Sequence, residues 1–196
     1  MQNDRLQPSK KKKSSQLKKC LEQMKSSTNH DDFEMHWREC LGHIEKSFSK
    51  LLCATKPVSG KFSSHFNQKF MLRKTDKTLA YLHQARNADH HSTMEISKLE
   101  PPYTTLGAFP GARSHYIKEL IIDSTGKIAK YEGDPMIVEF HPATTMPITV
   151  RNQGKDYPPP TEHLGEKLVD IHPSVLAYLG IQFYEKWIDE SCATFR

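Results

Sequence analysis

The chain reads as mainly α: an antiparallel helical bundle with a small antiparallel β-sheet appendage and a C-terminal helix, α+β overall. Three observations predict this class. Between Ser15 and His90, apolar side chains recur at steps of three and four, the period of one helix face. From Ile117 to Arg151, short apolar runs are separated by glycine and proline, the signature of strands and turns. After the stiff connector Pro158-Pro159-Pro160, the helical period returns through Leu176, Leu179, Phe183 and Trp187.

The elements follow in order. Residues 1–14 lack apolar periodicity and are expected to be a disordered basic arm. A helix is expected from near Ser15, with Leu17, Cys20, Leu21 and Met24 on one stripe. The polar run Ser26–His30 breaks it, and Asp31 or Asp32 can cap the next helix. That second helix carries Phe33, Trp37, Cys40, Leu41, Ile44, Phe48, Leu51 and Leu52 as a continuous apolar face. Lys56-Pro57-Val58-Ser59-Gly60 ends it. A third long helix is expected from about Ser63 to His90, with a stripe through Phe66, Phe70, Leu79, Leu82 and Ala85, less regular across the polar stretch Arg73–Lys77. The short loop between the second and third helices makes them antiparallel neighbours.

Pro101 and Pro102 cannot continue a helix, and residues 103–115 read as irregular. Four strands are expected at Ile117–Asp123, Lys127–Tyr131, Pro135–His141 and Met146–Arg151, the first two joined by the turn Ser124-Thr125-Gly126. The last helix is expected to start near Pro173, a favoured first-turn residue, and to carry Gly180 inside it at a cost of about 1 kcal/mol against alanine. The organisation is thus 1–14 arm, 15–100 helical domain, 101–160 strand-rich insertion and 161–196 C-terminal helical segment packed on the helices.

Composition narrows the functional classes. The 196 residues suit one domain, with or without an insertion. No apolar run approaches the roughly 18 residues of a membrane span, and no apolar stretch of signal-peptide type follows the basic N-terminus; a cytoplasmic protein without membrane partners is expected. Cys20, Cys40, Cys53 and Cys192 form no C-x-x-C pair, which removes a zinc ribbon or dithiol motif; Cys20 and Cys40 read as buried thiols. The net charge is +5. Residues 1–25 hold eight basic and two acidic residues, +6, so the rest of the chain is about −1. The lysines Lys10, Lys11, Lys12, Lys13, Lys18 and Lys19 can hold a polyanion such as RNA by releasing its counterions, or simply solvate a leader segment.

The stretch that carries chemistry is Tyr81–Ser92. On a helix, Leu82 and Ala85 face the core with Leu79, while His83, Arg86, Asn87 and His90 share another face. His91, five residues after Arg86, lies about 140° further round, so the two meet only if the helix ends or a second chain supplies the partner. Arginine offers a permanently charged fork that matches a phosphate, and histidine can take or give a proton near neutral pH. RNA brings its own nucleophile, the 2′-hydroxyl, so these two groups are sufficient for cleavage without a metal or other cofactor.

Two long antiparallel helices with an Arg, a polar residue directly after it and a His five positions on resemble the HEPN superfamily. Arg86, Asn87 and His91 fit its nuclease motif at the shortest spacing, and His90 falls one short. The resemblance covers about residues 15–100. It implies a metal-independent endoribonuclease in which Arg86 stabilises the scissile phosphate, His91 is the general base or acid and Asn87 orients one of them, with His90 and Asp89 in support. It also implies RNA as substrate, a homodimer whose two motifs line one cleft, and a role as a toxin or phage-defence effector, with an antitoxin or defence-system partner protein. The alternative within the same resemblance is a non-catalytic RNA-, nucleotide- or protein-binding module. Two readings stand outside it: a solvated helix end, whose basic residues complement the helix dipole, and a metal site from His83, Asp89, His90 and His91.

Overall fold

Asn29 decides where the second helix begins. In the computed structural model, which describes the backbone of residues 7–91 and 95–195 and the side chains of 16–89 and 95–195, its side-chain oxygen accepts from the Asp32 backbone N–H at 2.8 Å. Asn29, and not Asp31 or Asp32, is therefore the cap; the two aspartates occupy the first turn, where they complement the helix dipole. The helix it starts, α2, runs His30–Thr55. The preceding α1 spans Gln7–Ser26 and so begins eight residues before Ser15. Lysine is a good helix former, and Pro8 stands in the first turn, where a missing N–H costs nothing.

The expected third helix is three helices: α3 at Ser59–His65, α4 at Asn67–Thr75 and α5 at Lys77–His91. The breaks have local causes. Phe66 leaves the helical region (φ −101°, ψ 20°), and Asp76 is extended (ψ 130°), with its carboxylate accepting from the Leu79 N–H at 2.9 Å as the cap of α5. A buried, extended aspartate that ends α4 and caps α5 explains the irregular stripe over Arg73–Lys77. The last helix, α6, spans Pro173–Thr194 with Pro173 in its first turn, as expected.

The described helices make up about half of the chain and the described strands about a fifth, in small antiparallel sheets, so the α+β class holds. Among the described residues the strands form five separate two-stranded ladders, not one sheet. They are β1 (Ser97–Glu100) with β6 (Thr144–Pro147), β2 (Tyr103–Ala108) with β5 (Met136–His141), β3 (Ile117–Ile122) with β4 (Ile128–Gly133), β7 (Val150–Asn152) with β8 (Lys155–Tyr157), and β9 (Glu162–His163) with β10 (Glu166–Lys167). The Ser124-Thr125-Gly126 turn forms as read, with Gly126 at φ 79° and Asp123 accepting from the Thr125 and Lys127 N–H groups. Residues 103–108, expected to be irregular, are a strand.

The chain divides into two units, Met1–Leu99 with Thr145–Arg196, and Glu100–Thr144. The core of the first is helical. Trp37, Cys40 and Leu41 of α2, Leu79, Leu82 and Ala85 of α5, and Leu176, Ala177 and Trp187 of α6 are all buried there, with Leu17, Cys20 and Met24 of α1. Gly180, which costs α6 helix propensity, lies where a Cβ would come 2.5 Å from Leu82 Cδ1 and 3.4 Å from Ile44 Cδ1; its missing side chain sets how closely α6 approaches α5 and α2. Strands after Thr144 pack on the helices: Val150 is buried, and the Tyr81 hydroxyl donates to the Ile148 carbonyl at 2.8 Å. Among the described residues, no helix is long and apolar enough to cross a membrane.

Candidate functional site

Helix α5 carries Arg86 and Asn87, and its position is fixed on three sides. Its apolar side enters the core through Leu79, Leu82, Ala85 and Ala88. Its N-terminus is held by Asp76, whose carboxylate also accepts from the Leu164 N–H at 2.6 Å and meets His163 Nδ1 at 3.1 Å. Burial raises the Asp76 pKa, but the His163 hydrogen bond and the Leu79 and Leu164 N–H groups outweigh it, and the net shift is downward. Further along, Thr78 donates to the Glu162 carbonyl and Gln84 accepts from the Asn152 amide.

The remaining side of α5 is polar. His83, Arg86 and Asn87 lie at positions i, i+3 and i+4 and are half-buried. Arg86 Nη1 donates to Asn87 Oδ1 at 3.2 Å; Asn87 Nδ2 lies 3.2 Å from His83 Nε2; His83 Nδ1 lies 3.1 Å from Glu45 Oε2. With the proton on Nδ1, His83 donates to Glu45 and accepts from Asn87; Arg73 Nη2 also lies 3.0 Å from Nδ1, and the ring accepts from it only in the other tautomer. In the Nδ1-protonated tautomer every donor from Arg86 to His83 points toward the Glu45 carboxylate.

Glu45 is anchored from the other side. Arg73 Nη2 donates to its two oxygens at 2.9 and 2.8 Å, and Arg73 Nη1 donates to the Tyr184 hydroxyl. The Arg73 guanidinium also lies over the Phe48 ring, 4.1 Å from its centroid. Arg73 is only 9% exposed in its side chain and Glu45 19%. Burial by itself would raise the Glu45 pKa, yet the His83 hydrogen bond and the Arg73 charge outweigh it and hold the carboxyl down at about 2. The cluster joins four helices: Glu45 from α2, Arg73 from α4, His83 from α5 and Tyr184 from α6.

A comparison with protein-family models, with curated proteins and with solved structures finds no match. What the site can do therefore rests on its own geometry.

Of the sequence-predicted residues, Arg86 and Asn87 are brought together and tied to a histidine and a carboxylate. That histidine is His83. The side chains of His90 and His91 lie outside the described residues, as do those of Lys10, Lys11, Lys12 and Lys13; Lys18 and Lys19 are exposed on α1. The backbone of α5 stays helical through His91, so positions 86 and 91 remain about 140° apart around one axis. Asp89 is engaged elsewhere: it pairs with Arg38 of α2, which also reaches Glu34 at 3.2 Å, and Glu34 accepts from the Ile96 N–H. His83 and Asp89 thus serve different partners.

Glu45, Arg73 and Tyr184 are the residues that sequence reasoning passed over. Arg73 carried a signal, since it sits three positions after Phe70 on the stripe Phe62, Phe66, Phe70, where the helical period calls for an apolar side chain. Glu45 lies on the flank of the α2 apolar face, beside Ile44 and between Leu41 and Phe48.

Proposed function

We propose that the protein is a metal-independent endoribonuclease of HEPN type, acting at the polar side and C-terminal end of α5. The observation that carries this reading is the hydrogen-bonded line from Arg86 through Asn87 and His83 to the half-buried, ionised Glu45. It holds a guanidinium and an amide side by side at a helix surface, fixed from behind. A guanidinium has five N–H donors, more than one amide oxygen occupies, so Arg86 can hold Asn87 and face a phosphate together.

In this reading the 2′-oxygen of RNA attacks the adjacent phosphorus as a histidine removes its proton. The 5′-oxygen leaves with a proton, giving a 2′,3′-cyclic phosphate and a 5′-hydroxyl. Arg86 stabilises the charge that builds on the phosphorane, and Asn87 orients the phosphate. His91, supported by His90, is the proton-transfer group. Because positions 86 and 91 lie on different sides of one continuous helix, His91 from a second copy meets Arg86, which makes the enzyme a homodimer. Lysines on α1, including Lys18 and Lys19, add sequence-independent affinity that weakens with salt. The HEPN resemblance extends the role to a toxin or phage-defence effector restrained by a partner protein.

A second reading is favoured by one observation: buried Arg73 and half-buried Glu45 tie four helices together, which is what a structural clasp does. On that reading the domain binds RNA, nucleotide or protein through Arg86 and Asn87 without cutting. The experiment is cleavage of a mixed RNA pool in excess EDTA by wild type and by Arg86→Ala, Asn87→Ala, His90→Ala and His91→Ala. The nuclease reading expects cyclic-phosphate ends from wild type and losses of about 10²–10³-fold for Arg86→Ala and about 10²–10⁴-fold for His91→Ala. Intact RNA from a folded protein that still retains RNA on a filter selects the binding module.

A further inference from the structure

The unit Glu100–Thr144 is two nested hairpins, β2 with β5 and β3 with β4. None of residues 101–144, all of them described, is buried. Its register sorts side chains by face. Thr104 opposes Phe140, Leu106 opposes Val138 and Ala108 opposes Met136 on one face; Tyr103 opposes His141, Thr105 opposes Glu139 and Gly107 opposes Ile137 on the other. The first face is apolar, yet Phe140 is 68% exposed and Val138 51%. A two-stranded ladder is marginal in water; three or more strands sharing an apolar face are needed for independent stability.

Unpaired strand edges are normally protected by charge, proline or a bulge. Here β3 has Lys118 and Glu119, β4 has Lys130 and Glu132, and their ladder shifts register twice. β5 has Glu139 and His141. β2, Tyr103-Thr-Thr-Leu-Gly-Ala108, has no charge, no proline and a regular six-residue register, and Pro102 and Pro110 bracket it.

We infer that the free edge of β2 pairs with the same edge of a second copy of this chain. Antiparallel pairing about a two-fold axis at Leu106 places Leu106 beside its counterpart and Thr104 beside Ala108 of the other copy. Both apolar faces then lie on one side of a four-stranded sheet, β5-β2-β2-β5. β2 is the strand of this unit whose self-pairing brings no like charges together. The unit as a whole does not suit a polyanion: it has four basic and six acidic residues, and Lys118 and Lys130 pair with Glu132 and Glu119 at 2.5 and 2.6 Å. The side chains gathered on the apolar side of the four-stranded sheet are Leu106, Val138 and Phe140 of both copies, of which Val138 and Phe140 are 51% and 68% exposed in one copy. This association is independent of the ribonuclease reading and of any pairing through the helices.

The test uses the full chain in sedimentation and light scattering. Wild type is expected to self-associate through this edge at about 10 μM, as a dimer or, where the helices also pair, as a larger assembly, and Leu106→Lys and Leu106→Glu to weaken this step by at least about ten-fold, because each puts like charges opposite at the axis. Mixing the two variants is expected to restore it, which also shows that both are folded. In a Cys53→Ser, Cys192→Ser background, Leu106→Cys is expected to cross-link to its own copy under mild oxidation faster than Ser124→Cys at the hairpin tip. A wild-type monomer, an assembly untouched by either charge, or equal cross-linking at 106 and 124 overturns the inference; so does capture of an extended foreign peptide by a monomer.

Discussion

Replacing Glu45 with glutamine removes the negative charge while keeping the shape, and its cost is expected to depend on pH in a defined way. The Glu45 carboxyl is held at about 2, against an ordinary value of 4.5. A carboxyl held low by the fold contributes stability that is fully present above about pH 4.5 and is lost as pH falls through about 2. At ~1.36 kcal/mol per pH unit, that displacement is worth about 3 kcal/mol. The figure agrees with the ~3–5 kcal/mol expected when one partner of a buried ion pair is removed, here leaving Arg73 without its carboxylate. Urea unfolding can be followed by the fluorescence of Trp37 and Trp187, both fully buried in this core. The gap between wild type and Glu45→Gln is expected to be about 3 kcal/mol at pH 7 and to close steadily toward zero near pH 2. Asp76, whose carboxyl is also shifted down, contributes to acid lability in both proteins and cancels in the difference. A gap that stays constant from pH 7 to pH 2.5, or one below about 0.5 kcal/mol at neutral pH, refutes the account of Glu45 as the ionised anchor of the line.

Two further predictions concern the fold that holds the site. Gly180→Ala gains about 1 kcal/mol of helix propensity but drives a methyl to 2.5 Å from Leu82 Cδ1, so overpacking of ~1–3 kcal/mol is expected to win and lower the melting temperature; a raised melting temperature shows that Leu82 yields freely. Asp76→Ala removes the cap of α5 and the acceptor of the Leu164 N–H and His163, for an expected loss of about 2–3 kcal/mol together with faster proteolysis near Leu164 and Gly165; a loss within ~0.5 kcal/mol contradicts the role given to Asp76.

The parts of the fold legible in the sequence are those decided locally. α2 shows because eight apolar residues keep one period over five turns, and α6 shows because proline marks its start. The break at Asp76 did not show, because aspartate does not interrupt a helical pattern as proline does. Its effect depends on a carboxylate turned back to cap α5 while holding Leu164, almost ninety positions away. β2 was hidden by its glycine and threonines, and its partner β5 lies some thirty residues on; only pairing makes it a strand. At the site, Arg86 and Asn87 stood out as polar neighbours on one segment. Glu45 did not, since 38 residues separate it from His83 and nothing local distinguishes it from the other charged residues of α2.

The same geometry constrains how any activity data on this protein must be read. α5 does two jobs on opposite sides: Leu79, Leu82 and Ala85 close the core, while His83 connects the surface to the Glu45–Arg73 ion pair. A loss of activity in His83, Glu45 or Arg73 variants therefore mixes chemistry with unfolding, because each change disturbs a cluster shared by four helices. Asn87 is the cleaner probe. Among the described residues its amide meets Arg86 on one side and His83 on the other, at the outer end of the line, so its removal leaves the Glu45–Arg73 pair intact. An Asn87→Ala protein that keeps the wild-type unfolding curve but loses function places the function at the surface end of the line, whereas parallel losses of stability and function assign the whole line to holding the helices together.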